Sequence, residues 1–170
     1  MKRNGKGSET PVNEKQLRKH LDDLLSGGGA HVGWKGAFSG IPPKVRGIRP
    51  DGTPHSPWEL LEHMRIAQWD ILEFSRNAKH VSPDWPKEYW PKTPNPPNAK
   101  SWAKSLKLFG RGLAAMRKLV ANPRTNLFAR IPHGDGQTVL REALLLADHN
   151  AYHLGQVVLV RRLLGFWKKN

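Results

Sequence analysis

The stretch SPWELLEHMRIAQWDILEF, residues 56–74, carries the signals that decide the fold. Ser56 can cap a helix, Pro57 suits the first helical position, and Glu59 completes a capping box with Ser56. Apolar residues then recur at helical spacing, which predicts one buried face made of Leu60, Met64, Ala67, Ile71 and Phe74. The pattern predicts an amphipathic helix that ends near Arg76.

Three further segments show helical periodicity. The first begins near residue 13, and the glycines at 27–29 predict a break or a kink before the apolar residues of 30–41. The second covers about 99–120 and has one continuous apolar face. The third covers about 138–164 and is apolar around most of its circumference, so we expect it to be the most buried helix.

Loops rich in proline and glycine separate these helices, and no segment alternates as a β-strand does. The loops cover residues 42–55, 80–98 and 121–137, and aromatic residues in the second predict that it packs against the helices. Four helices of this length joined by long loops predict an all-α fold, a four-helix bundle with long crossover loops. We expect residues 1–12 to form a disordered basic tail and residues 13–167 to form a single domain.

Composition narrows the function classes. The 170 residues include no cysteine, which excludes disulfides, thiolate metal sites and a cysteine nucleophile. The basic N-terminus is not followed by an apolar run, and apolar stretches stay far below the ~18–20 residues of a membrane span. We therefore expect a cytoplasmic protein that does not associate with membranes.

The net charge of +14 has two readings. It can indicate a nucleic acid or an anionic surface as partner, or it can be the solvated exterior of a globular protein. The helical step in 99–120 puts a set of basic residues opposite the apolar face, namely Lys100, Lys104, Lys107, Arg111 and Lys118. This placement favours the second reading.

The stretch ADHNAYHLGQ, residues 147–156, contains the candidate metal ligands. His149 and His153 are four residues apart, so both lie on one side of the last helix. His63 lies at the edge of the apolar stripe of the helix that starts at Ser56. If these two helices pack as neighbours, three neutral imidazoles can hold a divalent cation and leave coordination positions open. The alternative is that each histidine simply pairs with a backbone carbonyl or a carboxylate.

Other polar residues near the histidine side are weaker candidates. Glu142 lies two turns before His149, so it is the candidate catalytic base or a group that orients a ligand. Its alternative role is an ion pair with an arginine of another helix, or a carboxylate favoured at a helix start. Asp70 is a weaker candidate for supporting His63. We expect Asp148 at the surface or in a structural pair. Tyr152 can line the pocket of the site, but a place in the packed core is favoured.

The remaining histidines lack a helical partner that would make a site. His55 precedes a helix cap, and we expect it to have a local structural role. His31 can reach the interior only if the first helix continues through the glycines. No site is expected at the other three, which are His20, His80 and His133.

Two segments resemble the DinB superfamily of metal-binding four-helix bundles. They are HSPWELLEHMRIAQWDILEF, residues 55–74, and LLLADHNAYHLGQVVLVRRLLG, residues 144–165. The resemblance covers about residues 13–167. It implies one metal ligand on the second helix and an HxxxH pair on the fourth, which here are His63, His149 and His153.

The resemblance also implies a range of activities. Some members are thiol S-transferases that use low-molecular-weight thiols, one is an isomerase with a thiol cofactor, and others were proposed as hydrolases. Zinc or nickel is the usual metal and dimers are frequent. We therefore expect a homodimeric transferase or hydrolase that uses a divalent metal on a small-molecule substrate, with any thiol supplied by a cofactor.

Two other function classes stay open. The first is nucleic-acid binding, suggested by the charge, although no helix-turn-helix or zinc-finger spacing is present and we expect no sequence-specific binding. The second is a non-catalytic, stress-related metal-binding protein.

Overall fold

A computed structural model describes residues 13–27 and 29–167, and the predicted tail at 1–12 lies outside the described residues. Five α-helices follow one another along the chain: α1 Glu14–Ser26, α2 Trp34–Phe38, α3 Pro57–Arg76, α4 Ser101–Ala121 and α5 Val139–Leu163. A 3₁₀ turn precedes α3, and an isolated bridge is the only β-type pairing in this part of the chain. The prediction of an all-α chain is confirmed.

The first helix breaks rather than kinks at the glycines. Helix α1 ends at Ser26, and Gly27 follows with a positive φ of 68°, a conformation that glycine adopts without a steric penalty. The apolar residues beyond the glycines form the separate short helix α2. His31 lies exposed between the two helices, so the continuation that would have carried it inside does not occur.

The capping box predicted for α3 is present. The Glu59 N–H donates to the Ser56 hydroxyl at 3.2 Å, and the Ser56 N–H donates to the Glu59 carboxylate at 2.8 Å. Arg49, in the preceding loop, donates to the same carboxylate. These bonds fix where α3 begins, and so they fix which of its residues face inward.

Helix α5 is the central element of the packing. It contacts α1, α2, α3 and α4, while α3 also packs against α4, and α4 against α1. Its buried residues therefore point in several directions. The prediction that it is the most buried helix is wrong, because 13 of the 20 residues of α3 are buried against 11 of the 25 residues of α5. Because α3 and α5 are neighbours, the packing condition for a shared histidine site is met.

The outer face of α4 carries exposed basic side chains, as predicted: Lys104, Lys107, Arg111 and Lys118 are exposed, and so is Lys100 at the N-cap. The apolar face, with Phe109 and Met116 fully buried, packs inward. Within the ranges 13–27 and 29–167, every helix is too short or too polar to cross a membrane.

Candidate metal centre

Three histidines from two helices meet inside the packed helices. The Nε2 atom of His63 on α3 lies 3.1 Å from Nε2 of His153 and 3.1 Å from Nε2 of His149 on α5. One ring nitrogen from each residue lies within 4.8 Å of the other two. His63 and His153 are 2% and 7% exposed. The structure thus brings together all three residues that the sequence singled out.

The far sides of two rings are fixed by hydrogen bonds. The Nδ1 atom of His63 is 2.9 Å from the backbone carbonyl of Tyr89, and Nδ1 of His153 is 2.7 Å from Oε1 of Gln156. Because these oxygens can only accept, each Nδ1 carries the proton. The Nε2 atom of each ring therefore presents a lone pair, and the two lone pairs face each other across 3.1 Å.

This donor set fits a divalent metal ion. Two imidazole nitrogens bound tetrahedrally at about 2.0–2.1 Å lie roughly 3.3–3.4 Å apart, and at right angles roughly 2.8–3.0 Å apart. The two Nε2–Nε2 separations of 3.1 Å fall between these values. Converging lone pairs without bound protons repel one another, and a cation placed between them relieves that repulsion.

Burial keeps the three rings neutral. It lowers the pKa of His63 to about 4, a shift that the hydrogen bond to Tyr89 partly opposes and the nearby His153 and His55 reinforce. Burial, with His153 and His63, lowers the pKa of His149 to about 3. Burial also lowers the pKa of His153. Neutral imidazole is the form that binds metals, so the rings are in the binding form at pH 7.

An aromatic wall covers one side of the centre. The Trp90 indole stacks on His63 with ring centroids 3.9 Å apart and planes 3° apart, and His55 stacks on Trp90 at 3.9 Å and 17°. Two rings at this distance do not fit on the same face of one indole, so Trp90 lies between the two histidines. His55 therefore belongs to the surroundings of the site, beyond the local role that its sequence position indicated.

Comparison with known proteins identifies the family of the chain. A family model described as the DinB superfamily matches residues 34–157, which is more than half of the chain. The chain belongs to the DinB superfamily. No curated protein and no solved structure matches it. The DinB match begins with α2 and includes His63, His149 and His153.

Asp70 supports this DinB centre through the loop rather than through a ligand ring. Its carboxylate accepts hydrogen bonds from the Tyr89 hydroxyl at 2.5 Å and from Nε2 of His80 at 2.8 Å. Burial, followed by the Asp70 hydrogen bond and charge, raises the pKa of Tyr89. Tyr89 in turn offers its backbone carbonyl to His63. Asp70 thus anchors the segment that orients His63, and His80 has a structural partner.

The other predicted site residues lie in different surroundings. Glu142 is 2% exposed, in the first turn of α5, and its carboxylate accepts from Nη1 of Arg141 at 2.7 Å. Because this ion pair lies within α5, the alternative of a pair with an arginine of another helix is wrong, while the place of Glu142 in the first turn agrees with a carboxylate at a helix start. The role of Glu142 as a catalytic base stays a prediction.

Two expectations about α5 had different outcomes. Asp148 is exposed, as expected. Tyr152 is 64% exposed, so its predicted place in the packed core is wrong. The Tyr152 ring instead meets the edge of His153, with centroids 4.9 Å apart.

Proposed function

We propose that this DinB protein is a metal-dependent enzyme that transfers a thiol to, or hydrolyses, a small molecule. Zinc or nickel would be held by Nε2 of His63, His149 and His153. The observation that carries the proposal is the convergence of these atoms at 3.1 Å, while the Nδ1 protons of His63 and His153 are bound elsewhere. A histidine that only needed a structural partner would not direct its free lone pair at another lone pair.

The chain's own residues supply binding and orientation. Tyr89 and Gln156 hold two rings from behind, and Trp90 fixes the plane of His63. A bound divalent metal lowers the pKa of a coordinated water or thiol and so provides a nucleophile near neutral pH. With no cysteine in the chain, a low-molecular-weight thiol cofactor would be the sulfur source. Glu142 is the candidate base, which would require it to leave Arg141.

A second candidate is a metal-binding protein without catalysis, in keeping with a stress-related role. The deep burial of His63 and His153 favours it, because a substrate needs a path to the ion. Sequence-specific nucleic-acid binding is not proposed, because the basic residues follow the solvated face of α4. Charge alone predicts only non-specific binding that weakens steeply as salt is added.

We also infer a four-helix bundle made of α1, α3, α4 and α5, with the long loops as crossovers and residues 13–167 as one domain. The pairing of both α1 and α3 with both α4 and α5 supports this arrangement. A homodimer and a cytoplasmic location are part of the same proposal. Exposed apolar residues on α5, namely Leu144, Tyr152, Leu159 and Leu163, support the homodimer.

Metal content is the first test of the proposal. Protein purified without an affinity tag is analysed for metals beside His149→Ala and a control, His20→Ala, which changes an exposed histidine of α1. We expect about one divalent ion per chain in the wild type and the control, and a large loss in His149→Ala. Equal metal content in all three proteins would end the proposal.

Activity is the second test. Zinc-loaded and nickel-loaded protein is assayed for conjugation of a small thiol to an aryl halide and for hydrolysis of a nitrophenyl ester. A metal enzyme is expected to exceed the His149→Ala variant at least tenfold in one assay. Full metal loading with no activity in a broader screen of thiols and esters would favour the non-catalytic protein.

A further inference from the structure

The third ring of the centre differs from the other two. Nδ1 of His149 is buried and has no hydrogen-bond partner in the described part of the chain, whereas Nδ1 of His63 and of His153 are both bound. A histidine that ligates a metal through Nε2 carries a proton on Nδ1, and an acceptor for that proton fixes the ring. The environment of His149 should therefore contain an acceptor.

The next residue along α5 has the complementary atom. Oδ1 of Asn150 is buried and also lacks a partner among the described residues. Its Nδ2 donates to Oε1 of Gln68 at 3.4 Å, which is long for a hydrogen bond of this kind.

We propose that Asn150 is a positioning residue that accepts the Nδ1 proton of His149 through Oδ1, with Gln68 holding Asn150 in place. The inference rests on the proposed function, since its purpose is to orient a metal ligand. It adds to that function a third support behind the three rings, matching Tyr89 behind His63 and Gln156 behind His153.

The backbone carbonyl of Phe109 sets the direction of the hydrogen bonds that run from Gln68 through Asn150 to His149. Nε2 of Gln68 donates to the backbone carbonyl of Phe109 on α4 at 2.7 Å, and a carbonyl can only accept. Oε1 of Gln68 must then accept, so Asn150 offers Nδ2 to it and keeps Oδ1 for His149. An Oδ1 acceptor selects the Nδ1–H form of His149, which leaves the Nε2 lone pair for the metal.

The packing makes room for Gln68. Its side chain is 1% exposed, and a Cβ added at Gly112 on α4 would lie 2.7 Å from its Nε2 atom. A methyl group there has to displace the amide. Gly112→Ala therefore displaces the Gln68 amide that holds Asn150, although α4 itself supplies no metal ligand.

Zinc affinity, measured by competition with a chromophoric chelator, tests the proposal. Asn150→Leu removes the acceptor and is expected to weaken zinc binding about 10–100-fold. Asn150→Asp keeps an acceptor oxygen, so its zinc affinity should stay within about threefold of the wild type. The variant should be less stable, because a carboxylate oxygen then faces Oε1 of Gln68 where the amide donated a hydrogen bond. If Asp weakens binding as much as Leu does, the role is merely structural and the proposal is wrong.

A remote variant keeps the test decisive when Asn150→Leu fails to fold. Gly112→Ala is expected to weaken zinc binding at least threefold. The control is Gly155→Ala on α5, where an added Cβ meets no neighbouring atom within 4 Å, and it should leave zinc binding unchanged. If Asn150→Leu binds zinc within twofold of the wild type, the inference about Asn150 is wrong although the proposed function can still hold. If Asn150→Leu does not fold, the same result in Gly112→Ala has the same meaning. A wild type that binds no zinc overturns the proposed function as well.

Cobalt-loaded wild-type protein gives an independent readout. Its paramagnetically shifted NMR spectrum should show three slowly exchanging imidazole N–H protons, one for each supported ring. In Asn150→Leu the signal of His149 should exchange faster or disappear, while the other two persist. Three unchanged signals in Asn150→Leu would contradict the proposal.

Discussion

Lowering the pH from 7.5 to 5.0 should destabilise the metal-free protein by about 4 kcal/mol. Burial lowers the pKa of His63 to about 4 and that of His149 to about 3, against an ordinary value near 6.5 in the unfolded chain. As the pH falls below 6.5, the unfolded chain takes up protons on these rings while the folded protein does not. Stability is therefore lost between about pH 6.5 and pH 4 through His63 and down to about pH 3 through His149, and these groups have little effect on it above pH 7.

The magnitude follows from the interval that is titrated. At pH 5.0 the unfolded rings are about 1.5 pH units below their pKa, and each unit corresponds to about 1.4 kcal/mol, so each ring contributes roughly 2 kcal/mol. Two rings give roughly 4 kcal/mol, a large part of the roughly 5–15 kcal/mol typical of a domain. The buried His153, whose pKa is also lowered, adds to the same effect.

Urea unfolding followed by circular dichroism, in the presence of a chelator, measures this loss. His149→Gln removes one of the rings and should reduce the pH-dependent loss by about 2 kcal/mol. The control His20→Gln changes an exposed histidine and should behave as the wild type does. Equal stability of the wild type at the two pH values, or an unchanged loss in His149→Gln, would refute the burial of neutral rings.

Of three further predictions, two concern groups around the site and one concerns the buried Arg161 near the end of α5. Gln156→Leu removes the oxygen that accepts from Nδ1 of His153, so it should weaken zinc binding about 10–100-fold in a competition titration with a chelator. An unchanged zinc affinity would show that Gln156 does not orient His153. Tyr89→Phe removes the hydroxyl that donates a hydrogen bond to Asp70, so it should lower the free energy of unfolding in urea by about 1–2 kcal/mol. Zinc affinity should stay nearly unchanged, because His63 uses the backbone carbonyl of residue 89. A tenfold loss of affinity would show that the hydroxyl matters to the site. Arg161→Leu removes the buried guanidinium that donates to the carbonyls of Gly36, Ala37 and Phe166. It should lower the free energy of unfolding by about 2–4 kcal/mol in the same urea assay. A loss below about 0.5 kcal/mol would show that these hydrogen bonds do not stabilise the fold.

The helices were predictable because their signals are local. The capping box of Ser56 and Glu59 sits within four residues of sequence, and the observed α3 begins at Pro57 as that box requires. The same locality explains the histidine site. Helical phase fixes the side on which His149 and His153 lie, so only the packing of α3 against α5 had to be assumed.

The loop contributions to the site were not predictable in the same way. Tyr89 contacts His63 across 26 residues of sequence, and a proline-rich loop has no period from which such a contact can be read. Aromatic content predicted that the loop packs, which is correct for Tyr89 and Trp90, but Trp85 is 67% exposed. Sequence also gave no sign that His55 would reach the stack on Trp90.

Overall apolar content misled the placement of Tyr152. Because α5 is apolar around most of its circumference, the tyrosine was expected inside, yet the four neighbouring helices do not cover every side of α5. Leu144, Leu159 and Leu163 are exposed as well. Which side of a uniformly apolar helix stays uncovered depends on tertiary packing, which a single sequence does not reveal.

X-ray absorption spectroscopy of the zinc-loaded protein counts the imidazole ligands of the proposed metal centre. Three imidazole nitrogens are expected at about 2.0–2.1 Å from zinc, together with at least one ligand that is not histidine. His63→Ala should reduce the imidazole count by one. A wild-type spectrum with fewer than three imidazoles, or one that His63→Ala leaves unchanged, would contradict a shared metal site between α3 and α5.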